Sequence, residues 1–492
     1  SLYLARIAAY ENRGPVIHAI LGLDSGALAE ARALDRERRE KGRRSPLHGI
    51  PVVLKDNIDS VGLANTGGSL FLEGNRPQAD AFAVARLRAA GAIILAKVNL
   101  GDFASDATGR SSLGGQTRNP HDPAYSPSGS SGGTGAALGA WFAPLGLGTD
   151  TGGSLRSPAS VNGLAGLKPT TGLVSRGGVI PTCWSFDAVG PMARSVSDVA
   201  LLLGAMTGVD AADPATLDSL GLAHGDYTRF LDRAALKGAR LGVLRGPAPA
   251  EAGMDEVFEQ ALADLEAEGA VLVPTALPRH VLEARAALTQ VVCDTEKELA
   301  MDRYLAPLPA ELPRSMRELD ARAADHLARH PEQAASFPKV YAQLAIRLRK
   351  PQPPDSRIYR SAREQGLTMM REAVRGVFET HRLDALVYLT RANLPDRIGH
   401  DPVYDVAALA RLSAGSFRNV ANLTGFPDLV VPAGRNRAGL PVSISFLGPA
   451  WSEPRLLALG YAYEQATRRR FNAAATPALP GENFEYFPGI VP

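Results

Sequence analysis

Two stretches decide how this chain is read: Ser128-Gly129-Ser130-Ser131-Gly132-Gly133-Thr134-Gly135 and Gly148-Thr149-Asp150-Thr151-Gly152-Gly153-Ser154. Both set serines inside glycine runs. Glycine carries no Cβ, so a run such as Thr151-Gly152-Gly153-Ser154 can turn several backbone N–H groups toward one point and admit a close neighbour. That turn is an anion or oxyanion pocket, and a serine at its end places a hydroxyl beside it. Acyl transfer needs this arrangement, with a nucleophile and its oxyanion donors a few ångströms apart. Other readings of the same glycines stay open at this level. They can be tight packing corners, or a phosphate cradle, although neither Gly-x-Gly-x-x-Gly nor a Gly-Lys-Ser/Thr ending occurs here. Gly129-Ser130-Ser131-Gly132-Gly133 also matches a Gly-x-Ser-x-Gly elbow with Ser131 as nucleophile. That elbow requires a strand immediately before it, and residues 122–127 read as loop.

Outward from these runs the chain alternates helices and strands, the rhythm of an α/β layer architecture. Residues 145–148 read as a strand feeding the second cluster, and about 134–142 as a helix leaving the first. Upstream, 51–54 is a strand ending at Lys55-Asp56-Asn57. Residues 80–90 form a helix stopped by Gly91, and 92–96 a strand ending at Lys97 and Asn99. Residues 2–45 are expected to be helical, with the charged run 30–44 solvated. Downstream, a helix over 197–206 is capped by Ser195 or Ser197. Strands are expected at 240–244 and 270–273 around a helix at 255–268. Further strands are expected at 384–389, 428–432 and 441–447, before a last helix at 454–468. Residues 280–380 are helical, charged and broken by proline, as at Lys350-Pro351-Gln352-Pro353-Pro354, and read as a cap over the site. No repeat or linker divides the chain. The expectation is one domain over 1–475 with core motifs in 46–207 and 410–470, then a tail over 476–492.

A nucleophilic serine needs a base. His48 and His121 lie nearest the relevant segments, and either can be structural. A lysine serves if burial or neighbouring cations bring its pKa down by several units from about 10.4. Lys55, Lys97 and Lys168 all follow or interrupt apolar runs, and spacing alone does not choose among them.

Composition excludes several classes. The 492 residues carry 53 Lys and Arg against 51 Asp and Glu, a net charge of +2. This balance argues against nucleic acid as the main partner and against a basic membrane-binding face. No segment reaches the ~18 apolar residues of a membrane span. The opening runs into Arg6, Glu11 and Arg13 without an apolar leader region. Cys183 and Cys293 are the only cysteines, too few for a disulfide framework or a four-cysteine zinc site. Together these features give the expectation of a cytoplasmic protein with reduced thiols.

The string from Gly129 to Ser154, with Ser130 and Ser154 24 residues apart, resembles the signature of the amidase signature family. The similarity extends through the block from His48 to Asn57, through Thr117-Arg118-Asn119-Pro120, Gly166-Leu167-Lys168-Pro169-Thr170 and Gly190-Pro191-Met192-Ala193-Arg194. It fades between about 210 and 410 and returns at Gly425-Phe426-Pro427 and Leu440-Pro441-Val442. The resemblance implies an α/β fold with a mixed central sheet of about a dozen strands covered by helices on both faces. It implies a serine hydrolase that cleaves a carboxylic amide to a carboxylate and ammonia or an amine. By position, Ser154 is the nucleophile, Lys55 the base, and Ser130 the relay beside a cis peptide bond. The backbone N–H groups of Thr151, Gly152, Gly153 and Ser154 form the oxyanion hole, and Ala104 lines the acyl pocket. Ser131, Asp150 and Arg156 support them. No metal or organic cofactor is implied, the partner is a small-molecule amide, and a homodimer is suggested only by analogy. The Arg-rich lead-in and residues 450–457 are similar to bacterial peptide amidases and acylamidases. Aryl, peptide, hydrazide and fatty amides stay open as substrates, while Cys183, Trp184 and Phe186 read as packing or loop wall. The alternatives are the glutaminase component of an amidotransferase, which needs protein partners, and a relative that binds an amide or anion without catalysis.

Overall fold

Val52, Val53 and Leu54, none of them exposed at all, carry the chain into the middle of a large sheet. The computed structural model describes residues 2–246, 249–333, 341, 353–399 and 417–482. Within them eleven strands form one mixed sheet: β1 (Ile20–Leu23), β2 (Pro51–Lys55), β3 (Ile93–Val98), β4 (Leu145–Asp150), β5 (Ala165–Lys168), β6 (Ala188–Ala193), β7 (Arg240–Leu244), β8 (Val271–Thr275), β9 (Ala385–Leu389), β10 (Asp428–Arg435) and β11 (Pro441–Leu447). Their order across the sheet is β1-β3-β2-β4-β6-β5-β10-β11-β9-β7-β8. The triplets β3-β2-β4 and β9-β7-β8 are parallel, and the other pairings are antiparallel.

Alternation along a strand sorts side chains between the two faces. Val52, Leu54, Ile94 and Leu147 join a core built with helices Phe82–Ala89, Val196–Met206, Met254–Ala267 and Glu453–Thr467. Val53, Ile93 and Leu95 join a second core with helices Leu2–Tyr10, Ala27–Lys41 and Gly132–Gly139. Lys55 is two residues beyond Val53 and follows it to this second face. Leu54 pairs with Leu147 across the parallel β2–β4 ladder, so Lys55 and Thr149 come together at the carboxyl ends of these two strands, where α/β sheets place their sites.

Helix Gly132–Gly139 is buried throughout and lies directly on the end of β3. The Gly133 N–H donates to Asn99 O at 2.9 Å, and a Cβ at Gly133 would stand 2.4 Å from the Asn99 nitrogen. Only glycine allows that approach, and it brings Ser130 and Ser131 over the strand ends. Helices Arg279–Leu305 and Met316–Arg329 cross the loops beside them. Lys297 Nζ donates to Ser105 Oγ at 2.5 Å, Tyr304 to Asp59 Oδ1 at 2.8 Å, and Tyr341 to Asp102 Oδ1 at 2.7 Å. No helix among the described residues is long and apolar enough to cross a membrane.

Residues 2–45 are not one helix. The first ends at Tyr10, and β1 follows because Glu11 accepts the N–H groups of Ala19 and Ile20 at 3.0 and 2.7 Å, presenting the strand to the edge of β3. The helix expected at 134–142 starts and ends earlier, since Gly132 joins it and Trp141 turns to φ +62°. Strands β5 and β6, with Gly166, Gly190 and Pro191 inside them, carry no periodic signal. Of the expected features, 334–340 and 342–352 of the helical stretch 280–380, residues 410–416 and the tail beyond 482 lie outside the described residues.

Candidate active site

Lys55 is fully buried. Its Nζ donates to Ser130 Oγ at 2.8 Å, to Thr149 Oγ1 at 2.6 Å and to Thr149 O at 3.4 Å. Burial brings its pKa down from the ordinary 10.5 to about 7, against the opposing pull of the Asp150 and Asp187 carboxylates. Among the described residues it has no ion-pair partner. A neutral amine in hydrogen-bond reach of a serine can take a proton near neutral pH. The Gly129–Ser130 peptide bond is cis.

The second glycine run bends at the end of β4. Ser131 N donates to Ser154 O at 2.9 Å, so the two serine-bearing runs lie side by side. Ser131 Oγ donates to Thr149 O at 3.1 Å and accepts from Thr149 N at 3.2 Å. Ser154 is half-buried and Gly152 exposed. Gly153 holds φ +115°, a conformation that favours glycine. Its N–H donates to Asp150 Oδ1 at 2.8 Å, so of the four amides expected in the pocket this one is already engaged. Those of Thr151, Gly152 and Ser154 carry no such bond among the described residues.

Under the turn lies a buried ion cluster. Arg156 Nε and Nη2 each donate to Asp150 at 3.0 Å, and Nη1 to Asp428 Oδ2 at 2.5 Å. Arg156 Nη2 also donates to Asn422 Oδ1 at 2.7 Å, and Asn422 Nδ2 donates to Asp150 Oδ1 at 2.9 Å. Tyr388 donates to Asp428. Despite its burial, the Asp150 carboxyl is held well below the usual carboxylate range by the Arg156 guanidinium. Each charge here is paired, which offsets its desolvation and fixes the turn's base. Thr151 Oγ1 donates to Asp187 Oδ1 at 2.5 Å, and Asp187 Oδ2 accepts from the N–H groups of Thr182 and Cys183.

The other candidate bases sit elsewhere. Lys97 pairs with Asp56 at 3.0 Å and donates to Asn65 Oδ1 at 2.9 Å. Lys168 is brought down to about 7 by burial and the nearby Arg156, but its Nζ donates to the carbonyls of Pro169 and Phe426 at 2.8 and 2.9 Å. His48 Nε2 lies 2.9 Å from Leu34 O. His121 faces Asn162 O at 3.2 Å, and burial lowers its pKa to about 4. Ala104 is half-buried at φ +55° in the loop whose next residue, Ser105, accepts from Lys297. Phe186 is buried in the core, and Cys183 points at Glu296 Oε2 at 3.3 Å.

A cavity of about 260 Å³ has Thr149, Asn57, Asp187, Ile180, Trp184 and Arg303 in its wall. Sequence reasoning did not select Thr149, Asn57, Asp187, Asn422 or Asp428. Thr149 lies in the second glycine run and Asn57 beside Lys55, but the bonds between them join segments 92 and 94 residues apart. Among the described residues no group of His, Cys, Asp or Glu is placed to hold a metal ion.

A family model described as Amidase matches residues 1–457. A glutamyl-tRNA(Gln) amidotransferase subunit of Roseiflexus castenholzii is 36% identical over 483 residues, spanning 94% of this chain and 91% of that protein. The solved native peptide amidase of Stenotrophomonas maltophilia has a TM-score of 0.85 at 40% identity, over 96% of this chain and 93% of its own. The solved glutamyl-tRNA(Gln) amidotransferase subunit of Thermotoga maritima has a TM-score of 0.67 at 26% identity, over 94% and 90%.

Proposed function

The chain belongs to the amidase family and is an amide-cleaving hydrolase, and from that premise we propose a Ser154 acyl-enzyme mechanism run by Lys55 and Ser130. The observation that carries it is the buried Lys55 amine, without an ion-pair partner among the described residues, lying 2.8 Å from Ser130 Oγ.

Neutral Lys55 takes the Ser130 hydroxyl proton while Ser130 takes that of Ser154. The Ser154 oxygen bonds to the amide carbon, and the carbonyl electron pair moves onto oxygen. The amides of Thr151, Gly152 and Ser154 hold that oxyanion; losing one such donor typically raises the barrier by about 2.7–4 kcal/mol. The proton on Lys55 returns through Ser130 to the leaving nitrogen as the C–N bond breaks. Water then attacks the ester along the same relay, releasing the carboxylic acid and the Ser154 hydroxyl. Asp150, Arg156 and Ser131 hold the turn, and one catalytic unit spanning 1–475 carries the whole sequence.

The substrate is a small-molecule amide cleaved by the chain alone. Stronger structural likeness to a peptide amidase (TM-score 0.85) than to an amidotransferase component (0.67) supports this. The 36% identity to another such amidotransferase component favours a second reading, in which the chain supplies ammonia to a partner protein. A serine-reactive phosphonate followed by peptide mapping tests the mechanism: the adduct is expected on Ser154, and a label on Ser131 or none overturns it. Hydrolysis of aryl and peptide amides by the purified chain decides between the readings, since turnover of glutamine alone favours the second.

A further inference from the structure

We infer that Thr149, held by Asn57, is a positioning residue: it accepts both hydrogens of the Lys55 amine and thereby aims the nitrogen's lone pair at Ser130. The inference rests on Lys55 acting as the base and deepens that reading.

Valence sets the requirement. A neutral lysine amine has two N–H donors and one lone pair, whereas the ammonium has three donors and none. Three oxygens surround Lys55 Nζ: Ser130 Oγ at 2.8 Å, Thr149 Oγ1 at 2.6 Å and Thr149 O at 3.4 Å. To work as a base the amine must turn its lone pair to the Ser130 hydroxyl. Its two hydrogens then need two acceptors, and one residue supplies both.

That residue has little freedom. Its backbone is paired with Val189 in the sheet and joined twice to Ser131. Asn57 Nδ2 donates to Thr149 Oγ1 at 3.1 Å. A hydroxyl oxygen has two acceptor sites, and Lys55 and Asn57 fill them. The Thr149 O–H therefore points away from the amine and does not compete with Ser130 for its lone pair. Thr149 is 5% exposed and Asn57 2%, so both side chains are held within the packed protein beside the cavity. The charged groups acting on Lys55 are Asp150 and Asp187, and neither changes in the variants below.

The test compares Thr149→Val, Thr149→Ser, Asn57→Ala and Lys55→Ala as full-length proteins on p-nitrophenyl butyrate and on a peptide C-terminal amide. Thr149→Val is expected to lose about 30- to 300-fold in kcat with KM within about threefold, because the amine loses its aim and not the substrate its pocket. A lost acceptor weakens the ammonium more than the amine, so the acid limb of kcat/KM moves down by about one pH unit. Thr149→Ser, which keeps the hydroxyl, recovers at least about tenfold of the loss. Asn57→Ala frees the hydroxyl and shows a smaller loss with the limb moved the same way; Asn57 borders the cavity, so its truncation opens no new hole in the core. If Thr149→Val fails to fold by circular dichroism, Asn57→Ala carries the test. Wild-type rate and pH profile in the folded variants, with Lys55→Ala inactive, overturn this inference alone. Thr149→Ser as slow as Thr149→Val does so too, since the retained hydroxyl would then not restore the rate. A fully active Lys55→Ala overturns the base assignment itself.

Discussion

Replacing Lys55 by Met should inactivate the enzyme and stabilise the protein near neutral pH. The lysine's pKa falls from 10.5 to about 7 because its charge is buried. At 1.36 kcal/mol per pKa unit this difference is about 5 kcal/mol, an upper bound on what the folded state forgoes at pH 7. Methionine has a similar unbranched stem and no charge to bury. Its cost is the lost hydrogen bonds to Ser130 and Thr149, about 0.5–1.5 kcal/mol each. The net expectation at pH 7 is a gain of about 1–3 kcal/mol for the variant. The sign then changes with pH. Unfolded, Lys55 stays protonated up to 10.5; folded, it is neutral above about 7. Between these values the unfolded chain holds one more proton, so wild-type stability climbs by about 1.4 kcal/mol per pH unit as pH rises. Lys168 titrates alike in both proteins and cancels in the difference. Urea midpoints of the two proteins at half-unit steps from pH 7 to 9.5 should therefore show the variant's advantage shrinking by about 3 kcal/mol and reversing. A gap that stays constant across that range refutes a neutral buried amine at Lys55, and with it the proposed base.

Three further outcomes are expected. Asp150→Asn should cost about 3–5 kcal/mol, because it strips a charge partner from the buried Arg156 guanidinium; an unchanged melting temperature would show that the ion cluster does not support the turn. Gly153→Ala should cost about 1–3 kcal/mol at φ +115°, whereas Gly152→Ala, whose Cβ would meet nothing within 4 Å, should melt like wild type and show any defect in KM; the opposite ranking by calorimetry contradicts the turn geometry. Lys168→Met should keep turnover within about fivefold, since its amine is spent on the Pro169 and Phe426 carbonyls, and a thousandfold loss in a steady-state assay would make Lys168 the base.

The strands at 51–54, 92–96, 145–148, 240–244 and 441–447 were legible because each is a short apolar run bounded by polar or glycine turns. Strands β5 and β6 were not, because Gly166, Gly190 and Pro191 dilute their pattern although the sheet buries both faces. The break of the first 45 residues into two helices and an edge strand depended on Glu11 accepting backbone N–H groups eight and nine residues away, a bond with no periodic signature.

By itself the sequence determined the local chemistry: two serines in glycine runs, a turn able to gather backbone amides, and three lysines at the ends or breaks of apolar runs. Those features depend on residues adjacent in the chain, and glycine's freedom is an intrinsic property. Spacing alone left the three lysines open and the family resemblance pointed to Lys55; the contact between that amine and a serine exists only in the tertiary structure. Lys97 is claimed by Asp56, Lys168 by two carbonyls, and Lys55 alone of the three lies against Ser130 and Thr149. The cluster under the turn likewise joins Arg156 to Asp428, 272 residues away. Burial and electrostatics act through space, so a lysine's charge state and an arginine's partners are fixed where the strands converge, and linear spacing carries no record of that.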